Sequence, residues 1–285
     1  MLAVGLALVS AFLFGAMTVA LRIAVKRTGK AELGAAGILL AALTVTLLAL
    51  AAEALRHGVA VAEVWPFALA GIFAPGASQI LFTLAVREVG AARTSVLVGM
   101  APLVSVALAL VLLGEPAEVP LLVGAVLIVA GGVELARERQ RPAHLRVIGL
   151  AYAGGATILF ASRDNLVRHL AGTTEVRPAA AATVTLLAGL VVAAGYAAWK
   201  RPEKIWRPLA AFAPAGVLLG VSYLALFEAY YRGRITVVAP LVATESLWGV
   251  ALSAVLLRRS ELVGRRLVLG AALIVGGSVL IGVFR

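Results

Sequence analysis

Long apolar runs and short charged breaks alternate along this chain from end to end. Each run is about 20 residues long, the length an α-helix needs to cross a hydrocarbon core. Ten such runs are predicted, at 2–23, 33–55, 64–86, 93–113, 118–136, 147–168, 178–199, 208–231, 235–257 and 264–283. They read as helices, because in lipid each backbone N–H and C=O must be satisfied within its own segment or in a closed barrel. The runs are too long and too continuous for barrel strands. Short breaks make sequence neighbours antiparallel hairpins. The predicted fold class is therefore an all-α polytopic membrane protein with ten transmembrane helices.

The pattern is written twice. Phe67 and Gly71 return as Phe212 and Gly216, Leu81-Phe82 as Leu226-Phe227, and Arg87 as Arg232. Past Glu115, glycines follow at Gly124 and Gly131; past Glu261 they follow at the same intervals, at Gly270 and Gly277. Such self-similarity marks a repeat. The longest polar stretch, 138–146 with the flanking Arg137, joins a first half (1–137) to a second (147–285). Five spans per half is an odd number, so the second half enters the membrane upside-down. Two inverted five-helix repeats are a plan that secondary transporters use, with the site between the repeats.

Charge tests the inversion. Loops after odd-numbered spans hold eighteen Lys and Arg, and those after even-numbered spans hold six. In the first half the basic loops follow spans one and three; in the second they follow spans seven and nine, the equivalents of two and four. The positive-inside rule then puts the basic loops in the cytoplasm and both termini outside. It also accounts for the net charge of +11 without a nucleic-acid partner, since no gap between runs is long enough for a hydrophilic domain. The first run, starting at Leu2 with no basic segment before it, reads as a span rather than a cleaved signal. With no cysteine and three histidines at run ends, a thiolate, disulfide or histidine metal site is not expected, and no cofactor is called for. Zinc-helix, nucleophile-elbow and Walker motifs are absent, so the chain does not read as an enzyme or as a primary pump.

The hairpin Pro102…Gly114-Glu115…Gly124…Gly131-Gly132, taken with ten spans in two fives, resembles the EamA-domain family of the drug/metabolite transporter superfamily. The second copy departs from the family pattern: Ser246 stands where a proline is usual, and Arg259-Ser260-Glu261 replaces the Gly-Glu turn. The resemblance covers the whole chain. It implies a multi-pass transporter of the cell membrane that exports or exchanges small metabolites such as amino acids, drugs or nucleotide-sugars. It also implies cytoplasmic termini, opposite to the loop charges.

Charges inside spans are costly and point to function. Glu245, about ten residues into span nine, is the first candidate, as a proton-coupling group or the partner of a substrate amine. Trp248 shares its face as an apolar wall, and Thr244 and Ser246 flank it. Arg163 and Asp164 lie inside span six. They are expected to find different partners, because adjacent helical residues diverge by about 100°. Arg163 either contacts a substrate carboxylate or phosphate, or neutralises Glu245 or Glu228. Glu228 lies late in span eight with Tyr223, Phe227, Tyr230 and Tyr231. Tyr223 is deep enough for a pocket, whereas Tyr230 and Tyr231 read as interfacial belt. Ser78, Gln79 and Thr83 in span three bind either substrate or a neighbouring helix. Arg22 is expected to snorkel to the headgroups. Pro75, Pro102 and Pro240 are expected to kink helices and free carbonyls.

The function expected is secondary-active transport of a small polar or amphipathic metabolite, with the two repeats rocking about a cavity lined by spans one, three, four, six, eight and nine. Proton coupling would run through Glu245, joined by Glu228. The alternatives are a flippase for a lipid-linked or phosphorylated amphiphile and a non-transporting membrane scaffold. The partners expected are a small-molecule substrate and the lipid bilayer.

Overall fold

The computed structural model describes residues 2–57, 63–104, 119–136, 147–202, 205–233, 235–257 and 263–284. The Gly114-Glu115 turn, the 137–146 linker and the Arg259–Glu261 turn lie outside these residues. Among the described residues the chain is helical and has no strand. The helices are α1 (Leu2–Thr28), α2 (Gly34–His57), α3 (Trp65–Gly71), α4 (Ser78–Val89), α5 (Ala91–Val98), α6 (Val119–Ala136) and α7 (Ile148–Thr173). After them come α8 (Pro178–Trp199), α9 (Trp206–Ala211), α10 (Ala213–Arg232), α11 (Ile235–Val242), α12 (Glu245–Leu256) and α13 (Arg265–Phe284). Among the described residues, six stretches are long and apolar enough to cross a membrane: Leu2–Thr28, Ala31–Leu55, Trp65–Val89, Pro178–Trp199, Ala213–Arg232 and Val237–Leu256. Shorter apolar helices cover Ala91–Val104 and Leu122–Leu135.

Polarity is arranged as lipid requires. Leu48, Leu55, Val126, Val191 and Val255 face outward, while Ser10, Thr18, Thr46, Gln79, Thr94, Arg163 and Glu245 are buried. Trp65 is exposed where α3 begins, and Trp199 and Trp206 are exposed at the opposite end of the helices. The Lys200 ammonium sits 4.2 Å from the centroid of the Trp199 ring. Amphipathic rings at both ends are the anchors expected at a membrane interface.

Three predicted spans are interrupted. Span three is α3 and α4 joined by a π-helical turn, Ile72–Ala77, in which Ala74 leaves helical geometry (φ −143°, ψ 116°). Pro75 is the cause: it donates no N–H and pushes the residue before it out of the α region. Spans four and nine, expected to be continuous, break at Gly99-Met100 and Ala243-Thr244. The two breaks are the same structure. Gly99, Met100 and Leu103 donate to the carbonyls of Ser95, Leu97 and Met100; 144 residues later Ala243, Thr244 and Leu247 donate to those of Ala239, Leu241 and Thr244. Different chemistry makes them. Pro102 cannot donate to the ladder after the first break. At the second, the Thr244 and Ser246 hydroxyls donate back to the carbonyls of Leu241 and Ala243 at 2.6 and 2.9 Å, a bond that bends helices. Ser246 thus does with a hydroxyl what Pro102 does with a ring.

The repeat glycines meet one another. A Cβ on Gly131 would lie 2.6 Å from the Gly270 carbonyl, and one on Gly270 would lie 2.8 Å from that of Gly131. One turn pair away, a Cβ on Gly124 would lie 2.8 Å from the Gly277 carbonyl, and one on Gly277 would lie 2.5 Å from that of Gly124. The order of contacts is reversed between the two helices, so α6 and α13 are equivalent and antiparallel. Close backbone approach through small residues is how helices associate without a hydrophobic drive from water. Gly71 likewise seats α3 against α8, and Gly216 seats α10 against α2.

Among the described residues the largest interfaces join the repeats to each other: α6 with α13, α1 with α10, α2 with α10, α2 with α8 and α4 with α7. The repeats therefore interlock and do not form two separable halves. Arg22 shows the same crossing. It does not snorkel: it is 3% exposed, and its Nη1 donates to the Val86 and Arg87 carbonyls at 2.8 Å each. A helix ends with carbonyls that lack intrahelical partners, and α1 supplies the donor for α4.

If glycine contact sets this packing, Gly131→Ala destabilises by about 1–3 kcal/mol, the usual cost of overpacking. Gly276→Ala, on α13 where a Cβ meets nothing within 4 Å, is neutral or stabilising. Unfolding of the two purified variants in detergent checks the contrast.

Candidate functional site

The two helix breaks face the same small cavity. It is lined by Val98, Ala101 and Pro102 at one break and by Val242, Ala243 and Glu245 at the other, with Ser10 and Phe14 from α1. Phe160, Arg163 and Asp164 come from α7, and Tyr223, Leu226 and Tyr230 from α10. Its volume of about 50 Å³ holds roughly one or two waters, against about 300–1,000 Å³ for a ligand pocket. The cavity is too small to enclose a metabolite.

An aromatic cluster makes one wall. The Phe14, Phe82 and Phe160 rings meet edge to face at 5.4–6.0 Å between centroids. Phe14 and Phe160 hold matching positions in α1 and α7, so the wall lies near the pseudo-two-fold axis. Ser10 is one turn before Phe14, and its hydroxyl is 3.0 Å from that of Ser222 on α10.

The charges do not follow the repeat. Ala101 occupies in the first copy the place of Glu245 in the second. Arg163 and Asp164 are paired with each other, Nε to Oδ1 at 2.7 Å, contrary to the expectation of separate partners. Their Cα–Cβ bonds do diverge, but the long arginine side chain folds back onto its neighbour. In an apolar site an unpaired charge costs far more than such a bend. The guanidinium carbon lies 4.9 Å from the Tyr223 ring centroid and 5.8 Å from that of Phe160, and the Tyr230 hydroxyl is hydrogen-bonded to Asp164. Glu245 opens α12, a position where the helix dipole favours negative charge. It is 7% exposed, feels the charges of Arg163 and Asp164, and forms no ion pair or hydrogen bond among the described residues. With all three ionised the cavity carries one net negative charge, held by an uncommitted carboxylate beside an aromatic wall.

Of the residues picked from sequence, Glu245, Arg163, Asp164 and Tyr223 converge here; the others do not. Trp248 is 41% exposed and packs edge-on against Phe12 at 5.3 Å. Three residues on a helix leave it about 60° from Glu245, and Gly15 of α1 fills the space on that side. Glu228 bonds Arg232 at 2.6 Å and lies in a separate charged recess with Glu53 and Arg177. Ser78, Gln79 and Thr83 are buried in α4, and none lines the cavity. Tyr230, read as belt, is 1% exposed and lines it. Sequence reasoning also missed Ser10, Phe14 and Phe160 as cavity residues. The matching phenylalanines in the two copies were the available signal.

The family model of the EamA-like transporter family matches residues 1–134 and again residues 147–283. The chain belongs to the EamA-like transporter family. No curated protein matches it. A crystal structure of another protein superposes with a TM-score of 0.67 at 20% identity, covering 96% of this chain and 94% of that one; the likeness is one of fold. This EamA-like chain is thus a multi-pass membrane protein of a transporter family, not of an enzyme family, with one family unit in each repeat.

In the EamA-like frame, Arg163 and Asp164 form a buried pair across the cavity wall. Removing one partner strands the other, so Asp164→Ala costs about 3–5 kcal/mol. Replacing both by apolar residues of similar size, Arg163→Met with Asp164→Leu, costs much less. Unfolding of the single and double variants in detergent separates these outcomes.

Proposed function

We propose that this EamA-like chain is a secondary-active transporter of a small polar or amphipathic metabolite that carries an amino group, such as an amino acid. One observation carries the reading: Glu245 is a buried, uncommitted carboxylate at the meeting point of two broken helices, one from each repeat. Helix breaks at membrane depth are tolerated where they line a cavity, and transporters place their sites at such breaks between repeats. The carboxylate accepts an ammonium group from the substrate or carries a proton in exchange for it. Phe14, Phe160 and Tyr223 supply an apolar wall whose faces attract a cation.

The chain crosses the membrane ten times as inverted repeats 1–137 and 147–285 about the basic linker 138–146. Loop charge supports both termini outside and the basic loops in the cytoplasm. Access alternates by movement of mixed bundles. The pairs α1 with α10 and α4 with α7 pack closely and each draws on both repeats, so they form the cores of the two bundles. The cavity widens as they part. A flippase finds less support, because Arg163 is 4% exposed and sealed among aromatic rings instead of facing lipid.

A thermal-shift screen of purified protein against amino acids, nucleosides, sugars and phosphorylated metabolites identifies the substrate. A ligand at about 100 times its Kd raises apparent stability by about 2.7 kcal/mol, and the hits are expected among amines. In liposomes, uptake of that substrate depends on pH and Glu245→Gln abolishes the dependence. An unchanged pH profile in that variant would remove Glu245 from the coupling.

A further inference from the structure

The cavity occupies only one arm of the fold. Its lining from α10 and α11, Tyr223 to Tyr230 and Ala239 to Ala243, lies toward the face that carries both chain termini. The matching arm, built by α4 and α5 toward the basic-loop face, is packed shut. There Ser95 of α5 rests on Gly249 of α12, and a Cβ on Gly99 would lie 2.7 Å from the Ser246 side chain.

That closed arm contains polar groups a packed core would not need. Ser78, Gln79, Thr83 and Ser95 are each at most 3% exposed. Among the described residues, the Ser78, Thr83 and Ser95 hydroxyls and both amide atoms of Gln79 have no hydrogen-bond partner. Buried polar groups are ordinarily satisfied, and an exception calls for a reason. The repeat supplies one. Ser95 is the counterpart of Ala239: each gives its carbonyl to the first hydrogen bond of its helix break. Ser78 and Gln79 occupy the same turn of α4 that Tyr223 occupies in α10. Tyr223 and Ala239, the counterparts of Ser78 and Ser95, line the cavity, so these two serines stand where the equivalent lining of the other arm belongs, and the unpartnered Gln79 amide lies beside Ser78 on α4.

The ties across the two faces are unequal in the same sense. Arg22 of α1 makes two bonds of 2.8 Å to the last turn of α4. Its counterpart, Arg168 of α7, makes one bond of 3.1 Å to the Tyr230 carbonyl in the last turn of α10. The basic-loop face is the more firmly closed.

We propose that Ser78, Gln79 and Ser95 line a second half-site, collapsed here, which receives the substrate when the basic-loop face opens. There they hydrogen-bond uncharged polar atoms of the substrate that the Arg163–Asp164–Glu245 arm does not address. Two arms joined by an inverted repeat exchange conformations, and the arm closed in one state is open in the other. The inference rests on the transporter reading above.

The natural absence of cysteine makes the test direct. Single variants Gln79→Cys, Ser95→Cys and Tyr223→Cys are placed in oriented vesicles and exposed to a membrane-impermeant maleimide from either face. Thr185→Cys, equally buried on α8 and off both arms, is the control. Tyr223→Cys is expected to react from the terminal face. Gln79→Cys and Ser95→Cys are expected to react only from the basic-loop face, and faster when Arg22→Ala releases the tie. If that background does not accumulate, Arg22→Lys or longer exposure of the unaltered chain serves. Gln79→Leu is expected to leave thermal stability unchanged or raised. If Gln79→Cys and Ser95→Cys stay as inert as the control while Tyr223→Cys reacts, the second half-site is overturned and the cavity reading stands. If Tyr223→Cys is inert as well, the transporter reading fails with it. A loss of stability in Gln79→Leu makes Gln79 a structural residue and also overturns the proposal.

Discussion

Interrupting a helix inside a bilayer strands backbone groups where no water can reach them, and this fold does so at matching places in both copies. Everything distinctive about the molecule follows from where those interruptions are put. The breaks at Gly99-Met100 and Ala243-Thr244 stay buried because α5 and α12 cross there. They keep most of their hydrogen bonds by tightening to shorter-range contacts. They remain at the centre because glycine contacts around the periphery, between α6 and α13 and between α3 and α8, hold the surrounding helices together. The result is a close-packed rim around a pair of helix breaks.

Onto this nearly symmetrical frame the second copy adds charge. Ala101 becomes Glu245, and Arg163 and Asp164 stand where α1 has only uncharged residues. Arg163 and Asp164 form an ion pair with each other at 2.7 Å, and the Arg163 Nη1 has no hydrogen-bond partner among the described residues. Glu245 has no such partner among the described residues. That difference separates a charge that builds the wall from one that is free to act, and it could not be drawn from span position alone. The frame is nearly symmetrical, and its local violation gives the site a sign.

Several expectations failed for a common reason. Arg22, Tyr230 and Glu228 all lie near the ends of apolar runs, where snorkelling and interfacial belts are the ordinary outcomes. Which of them turns inward depends on the helix that packs alongside. Arg22 turned in because the last turn of α4 offered two carbonyls. Tyr230 turned in because Asp164 lay opposite. Glu228 stayed out because Arg232, one turn on in its own helix, was near enough to hold it. Trp248 was placed on the right helix and the wrong side, since Gly15 lets α1 close the space that a pocket wall would need.

Read alone, the chain determined the all-helical membrane class and the division into two copies, and its loop charges pointed to an inversion between them. It also marked the glycines at which backbones meet. Those properties depend on run length, loop charge and residue spacing, which are local and survive without coordinates. It further singled out Glu245 and Arg163-Asp164, because charge inside an apolar run is visible wherever the run folds. Only the tertiary structure decided that spans four and nine are broken, that Arg163 closes on its own neighbour, and that the repeats interlock. It alone decided that Ser10, Phe14, Phe160 and Tyr230 share a cavity with the carboxylate. These outcomes depend on which helices become neighbours and at what rotation, and in lipid that choice is made by close packing between segments far apart in the chain.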